Sequence, residues 1–166
     1  MDRRQETAAS IWERILAQIP GFGGYDQAER RRDTDAQTRQ WILERLSGAG
    51  SGIDGAIKAS IAQGDLASVG AWDQVRQKID LMVRKMSVTL RPGEGIFNAS
   101  RLDADALQDL YDLEADILDE AAAVAKMLTE AGGSAGGTKP ADVLQRLGKL
   151  ETAIARRHDL MAGQRS

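Results

Sequence analysis

Apolar residues recur at steps of three and four through most of this chain, the period of an amphipathic helix. Residues 5–19 read as a first helix with Ile11, Ile15, Leu16 and Ile19 on one face, which Trp12 extends or edges. A second helix is expected from Tyr25 to Ser47, nearly all polar in its first half, with Trp41, Ile42 and Leu46 at helical spacing in its second. The run Gly48-Ala49-Gly50-Ser51-Gly52 is expected to close it. Residues 53–63 predict a short helix through Ile53, Ala56, Ile57, Ser60 and Ile61, interrupted by Gly64-Asp65, with Gly70 offering a second break. From Ala71 to Leu90, Trp72, Val75, Ile79, Met82 and Met86 form the seam of a bundle or coiled coil. Met82 and Met86 read as core filler, not as ligands.

Arg91-Pro92-Gly93-Glu94-Gly95 is the clearest internal break. Ile96 and Phe97 follow in an otherwise polar loop and are expected to tuck against the bundle, while Asn98, Ser100 or Asp103 caps the next helix. That helix, 103–131, carries the seam on Leu107, Leu110, Ile117, Ala121, Val124 and Leu128, with Glu114 the one charged residue in the register. The alanines Ala121, Ala122, Ala123 and Ala125 allow close approach of a neighbouring helix. Residues 132–138 are a flexible linker by composition. Pro140 suits the first position of a last helix, 140–161, striped by Val143, Leu147, Leu150, Ile154 and Met161. That helix either completes the bundle or, through the linker, swaps onto another chain. The fold class expected is all-α: a single domain built as an antiparallel bundle of four to five helices.

Composition narrows the setting. The 166 residues suffice for one domain with a real core, 42% being hydrophobic and 28% charged. Only 4% are aromatic, so the core must rest on aliphatic residues and alanine, which suits closely packed helices better than sheets. A net charge of −3 with both signs interspersed argues against nucleic acid, whose binders carry a basic excess. No run approaches the ~18 apolar residues of a membrane span, and Met1-Asp2-Arg3-Arg4-Gln5 does not lead into a signal peptide. The absence of cysteine is compatible with a reducing compartment, and a cytoplasmic location is expected.

Catalytic sets are missing. His158 is the only histidine and there is no cysteine, so zinc sites and di-iron Glu-x-x-His bundles have no ligands, and no metal or cofactor is expected. His158 follows Arg156 and Arg157 near a helix end, where it caps or is solvated. No serine lies in a G-x-S-x-G elbow. Gly132 and Gly137 have phosphate-loop spacing, but Thr138-Lys139-Pro140 replaces the required Lys-Ser/Thr and no strand precedes it. Asp112, Glu114, Asp116, Asp119 and Glu120 are spread around their helix, and read as an exposed acidic surface that could pair with the Arg30–Arg32 region.

The most distinctive stretch is Ile19–Arg39. Pro20 lacks an N–H and ends the first helix, and Gly21, Gly23 and Gly24 can take the positive φ of a sharp reversal. Phe22 and Tyr25 flank that reversal, either pinning it onto neighbouring helices or forming an exposed knuckle that docks a partner. Asp26 follows at a capping position, and Glu29, Arg30, Arg31, Arg32, Asp33, Asp35 and Arg39 come within three turns. Arg31 with Asp35, and Asp35 with Arg39, stand at i,i+4. This half-helix is a solvated face, a contact for an anion or acidic partner, or a paired polar layer inside the bundle.

The pattern Ile19-Pro20-Gly21-Phe22, Gly24-Tyr25, Glu29, Arg31-Arg32, Asp35 and Arg39 resembles the N-terminal signature of an uncharacterised family of small helical proteins in bacteria and archaea. A second patch, Gly95-Ile96-Phe97-Asn98-Ala99 with Leu107, Leu110, Tyr111 and Asp112, is similar to that family's second block. Family members usually have an aromatic, Gly-rich run and an Asp there, where this chain has Arg91-Pro92-Gly93-Glu94 and Asn98. The resemblance covers roughly residues 10–120 and implies a helical fold but no activity.

The function expected is a non-enzymatic helical interaction or adaptor module that binds a protein partner, with self-association open to it. The contact residues expected are Phe22, Tyr25, Glu29, Arg31, Arg32, Asp35 and Arg39. The alternatives are a small anionic-ligand or enzymatic site on Glu29, Arg31, Arg32 and Asp35, and peripheral association of the second helix with anionic membrane.

Overall fold

The computed structural model describes residues 8–25, 31–88, 103–133 and 137–161. Their regular structure is entirely helical, in the order α1 (Ala8–Gln18), α2 (Arg31–Gly48), α3 (Gly50–Ala62), α4 (Leu66–Val88), α5 (Ala104–Gly132) and α6 (Pro140–Met161). The all-α class read from the hydrophobic pattern is the class observed. None of these helices is long and apolar enough to cross a membrane.

Internal contacts divide the chain into two compact units. The first draws on the described parts of residues 1–41, 91–119 and 152–166, and the second on 42–90 and 120–151, so α2, α5 and α6 each contribute to both. In the first unit α1 buries Ile11 and Ile15, with Ile19 just beyond its end, as the i,i+4 spacing requires; Leu16 is half-buried. Ala106, Leu110, Leu113, Ile117 and Leu118 of α5 and Met161 of α6 complete its apolar core.

The second unit is organised by the α3–α4 pair. Gly64 reverses the chain at φ +73°, a conformation that glycine adopts without strain, and Asp65 then caps α4 by accepting the Ser68 N–H at 3.0 Å. The α4 seam is buried throughout, on Trp72, Val75, Ile79, Met82 and Met86. Each fully buried side chain of that size contributes roughly 1.5–3 kcal/mol of transfer free energy. Lys78 and Lys85 of α4 both bond Glu151 of α6, the second at 3.0 Å.

Two glycine assignments need correction. Gly48–Gly52 is not a loop: only Ala49 separates α2 from α3, and Gly50, Ser51 and Gly52 are helical. Gly52 serves close packing, since a Cβ there would lie 2.0 Å from the backbone oxygen of Leu128 on α5. One turn on, a Cβ on Gly55 would lie 2.8 Å from the Gly132 Cα. Gly52 and Gly55 thus let α3 approach α5 closely. Gly70, expected to break the chain, lies inside α4.

Asp103 is the α5 cap, its carboxylate accepting the Ala106 N–H at 2.9 Å. Pro140 opens α6, as expected from its missing N–H. The expected roles of residues 91–100, including Ile96, Phe97, Asn98 and Ser100, lie outside the described residues, as do those of 134–136 in the linker.

Candidate functional site

The Ile19–Arg39 stretch builds a buried polar node in the first unit. The α1 terminus is held by the Ile19 N–H donating to Ile15 O at 2.8 Å and the Phe22 N–H donating to Ile19 O at 3.1 Å. Gly21 and Gly24 take φ +80° and +76°, whereas Gly23 is not in the positive region. Gly24 is constrained twice, because a Cβ there would also lie 3.0 Å from both the Trp12 ring and the Tyr111 hydroxyl. Phe22 and Tyr25 are buried and pin the turn. Trp12 meets Phe22 and Tyr111 edge to face at centroid distances of 5.5 and 5.6 Å, and Phe22 meets Tyr25 in the same way at 5.7 Å. Burial removes both Phe22 and Tyr25 from direct contact with a partner.

Tyr25 is not the start of the second helix, which begins at Arg31 among the described residues. Its backbone N–H donates to the Tyr111 hydroxyl at 2.8 Å, and the next turn of chain is tied back by Thr34 Oγ1 donating to Gly24 O at 2.9 Å. The Tyr25 hydroxyl donates to Glu114 Oε1 at 2.9 Å and accepts from Arg157 Nη2 at 2.6 Å. Arg157 also donates from Nε to Glu114 Oε2 at 2.6 Å and from Nη1 to Asp35 Oδ1 at 2.7 Å. The second Asp35 oxygen accepts Arg39 Nε at 2.8 Å, realising the i,i+4 pair. All three guanidinium nitrogens of Arg157, and both oxygens of Glu114 and Asp35, are therefore engaged within the chain. Two guanidinium groups face two carboxylates, so the node is charge-balanced.

The electrostatics follow from burial. Desolvation drives the Tyr25 phenol far above its ordinary value, with the Glu114 charge adding to it and Arg157 opposing it. Burial by itself would lower Arg157, but Glu114, Tyr25 and Asp35 outweigh that and hold it well above its ordinary value. The Thr38 hydroxyl is buried beside the Tyr25 phenol without a hydrogen bond of ordinary geometry.

Of the residues singled out in the sequence, Tyr25, Asp35 and Arg39 meet in this node, and Phe22 packs behind Tyr25. Arg31 and Arg32 stand in the first turn of α2, and Glu29 lies outside the described residues. The polar half of α2 is not a solvated face throughout: Thr34, Asp35, Thr38 and Arg39 are buried, while Asp33, Ala36 and Gln37 are exposed. Glu114 is not part of an exposed acidic surface, being wholly buried at 0%. Its neighbours also find separate partners: Asp119 pairs with Arg14 and Gln18, Glu120 with Arg146, and Asp112 with Gln108.

Arg157 was missed, although the spacing held the signal. The α6 stripe runs Val143, Leu147, Leu150, Ile154 and Met161, and the step from 154 to 161 skips the one position where Arg157 stands. Neighbouring His158 is exposed on the same helix.

The second unit holds a cavity of about 280 Å³ where the ends of α3 and α5 meet the starts of α4 and α6. Ser60, Gln63, Ser68 and Thr138 give it a hydroxyl- and amide-bearing wall, with Trp72 and Lys139 beside them. Ser60 already donates to Ala56 O, and Asp65 caps α4. Among the described residues no group of three His, Cys, Asp or Glu side chains is placed to hold a metal ion. The chain matches no protein-family model, no curated protein and no solved structure.

Proposed function

We propose that this protein is a non-enzymatic helical interaction module of the cytoplasm that binds a protein partner, and that it belongs with the small helical proteins sharing its Ile-Pro-Gly turn. The observation that carries this reading is the engagement of Tyr25, Asp35, Arg39, Glu114 and Arg157 with one another. Groups of the kinds that do acid–base work or bind anions are here committed to holding the chain together. An anion site on Glu29, Arg31, Arg32 and Asp35 is disfavoured for the same reason, since both Asp35 oxygens already accept from arginine. Recognition then belongs to the outside of α2, with Arg31 and Arg32 in its first turn and Asp33, Ala36 and Gln37 exposed beyond them.

The test is capture of partners from native lysate by the wild type and by an Arg31→Glu/Arg32→Glu variant of unchanged circular dichroism and melting point. The reading expects a protein held by the wild type and lost by the variant. Identical captures by both baits would contradict it.

A further inference from the structure

The node sits inside three helical seams. On α5 the buried register runs Leu110, Glu114, Ile117, Ala121, Val124 and Leu128, and on α6 the stripe runs Val143, Leu147, Leu150, Ile154, Arg157 and Met161, buried except for the half-buried Ile154. On α2 it runs Asp35, Arg39, Ile42 and Leu46, and Ala49 just past the helix end continues it. Steps of four and three alternate in each, the spacing of a knobs-into-holes seam. The charged members of these otherwise apolar series are the groups that bond one another: Arg157 with Glu114 and with Asp35, and Asp35 with Arg39.

Apolar seams tolerate displacement, because a leucine packs almost as well one turn along. Directional charged bonds do not. A one-turn slip of α6 carries Arg157 about 5.4 Å from its acceptors and leaves the buried Glu114 carboxylate without its cation. The Tyr25 hydroxyl, donor to Glu114 and acceptor from Arg157, adds a third fixed direction. The same layer opposes pairing of α6 with α6 of a second copy in parallel, which would set two Arg157 side chains against each other at one seam position.

We infer that the Tyr25–Asp35–Glu114–Arg157 layer is a register lock: it selects one alignment and one partner for α6, at a cost in stability relative to an apolar layer. This goes beyond the binding reading and does not depend on it.

The test compares three full-length proteins: wild type, Arg157→Met, and a variant with the whole layer made apolar (Tyr25→Phe, Asp35→Leu, Arg39→Leu, Glu114→Leu, Arg157→Leu). The single change strands the buried Glu114 carboxylate, leaves Asp35 with Arg39 alone, and should lower the melting point by roughly 10 °C. The apolar variant should melt at or above the wild type, yet show doubled or broadened amide resonances and additional species in sedimentation. An apolar variant with one set of sharp resonances and the wild-type sedimentation profile would overturn the lock. So would an apolar variant that is unfolded or melts below Arg157→Met, since the layer would then be a source of stability and not of specificity.

Discussion

Tyr25 and Arg157 show how a side chain's environment sets its role. A phenol at the end of a glycine turn could have been a docking knuckle. Buried at 0% exposure, with its hydroxyl between Glu114 and Arg157, it is a structural strut. Tyr25→Phe removes one donor and one acceptor from that triangle and is expected to cost about 1–3 kcal/mol in chemical denaturation. Arg157→Met leaves Glu114 and Asp35 short of a cation, for an expected loss of about 3–5 kcal/mol. The phenol also implies an alkaline limit. Its folded value lies far above the unfolded value of 10.0, so its contribution is complete below pH 10 and declines as the unfolded chain ionises above that. Denaturation followed from pH 9 to 12 should show stability falling above pH 10, and less steeply in Tyr25→Phe. Equal slopes in the two proteins would mean that the phenol is not buried. At this scale the sequence was only half legible. Glu114 stood out as the one charge in its register, but without Arg157 to neutralise it the sound expectation was exposure.

The helices themselves were readable because each has a period and a punctuation mark. The α4 seam, the Gly64 reversal and Pro140 at the α6 start follow from local chemistry and are observed, and of the three caps open to α5 the structure has Asp103. What local chemistry could not separate was a glycine that breaks a helix from one that lets another helix approach. Gly52 and Gly55 lie on one face of α3, and only the presence of Leu128 and Gly132 opposite gives them their role. Gly52→Ala should therefore destabilise by about 3 kcal/mol despite alanine's better helix propensity, as measured by urea denaturation. Gly70→Ala, on an exposed position of α4 where an added Cβ would meet nothing within 4 Å, should instead stabilise by a few tenths to about 1 kcal/mol. Between α4 and α6, Glu151 is held below the usual carboxylate range by hydrogen bonds from Lys78 and Lys85. Its contribution is present above the ordinary glutamate range and is lost as pH falls through the depressed folded value. Glu151→Gln should accordingly flatten the acid side of the stability profile.

At the scale of the molecule, Phe22, Tyr25, Asp35 and Arg39 of the distinctive motif face inward. A half-helix of alternating charges was open to three readings, and its composition could not choose among them. The choice depends on α5 and α6 supplying Glu114 and Arg157 from 89 and 132 residues beyond Tyr25, a separation over which no local pattern operates. Arg157 is sealed within this layer, buried at 4% exposure. The most direct measurement is hydrogen exchange of arginine Nε–H groups, with Arg157 assigned by its loss in Arg157→Lys. The Arg157 signal is predicted to persist after transfer into D₂O when those of exposed arginines such as Arg84 and Arg156 have gone. If it exchanges as fast as theirs, the node is open to solvent and the motif must be read again as a surface.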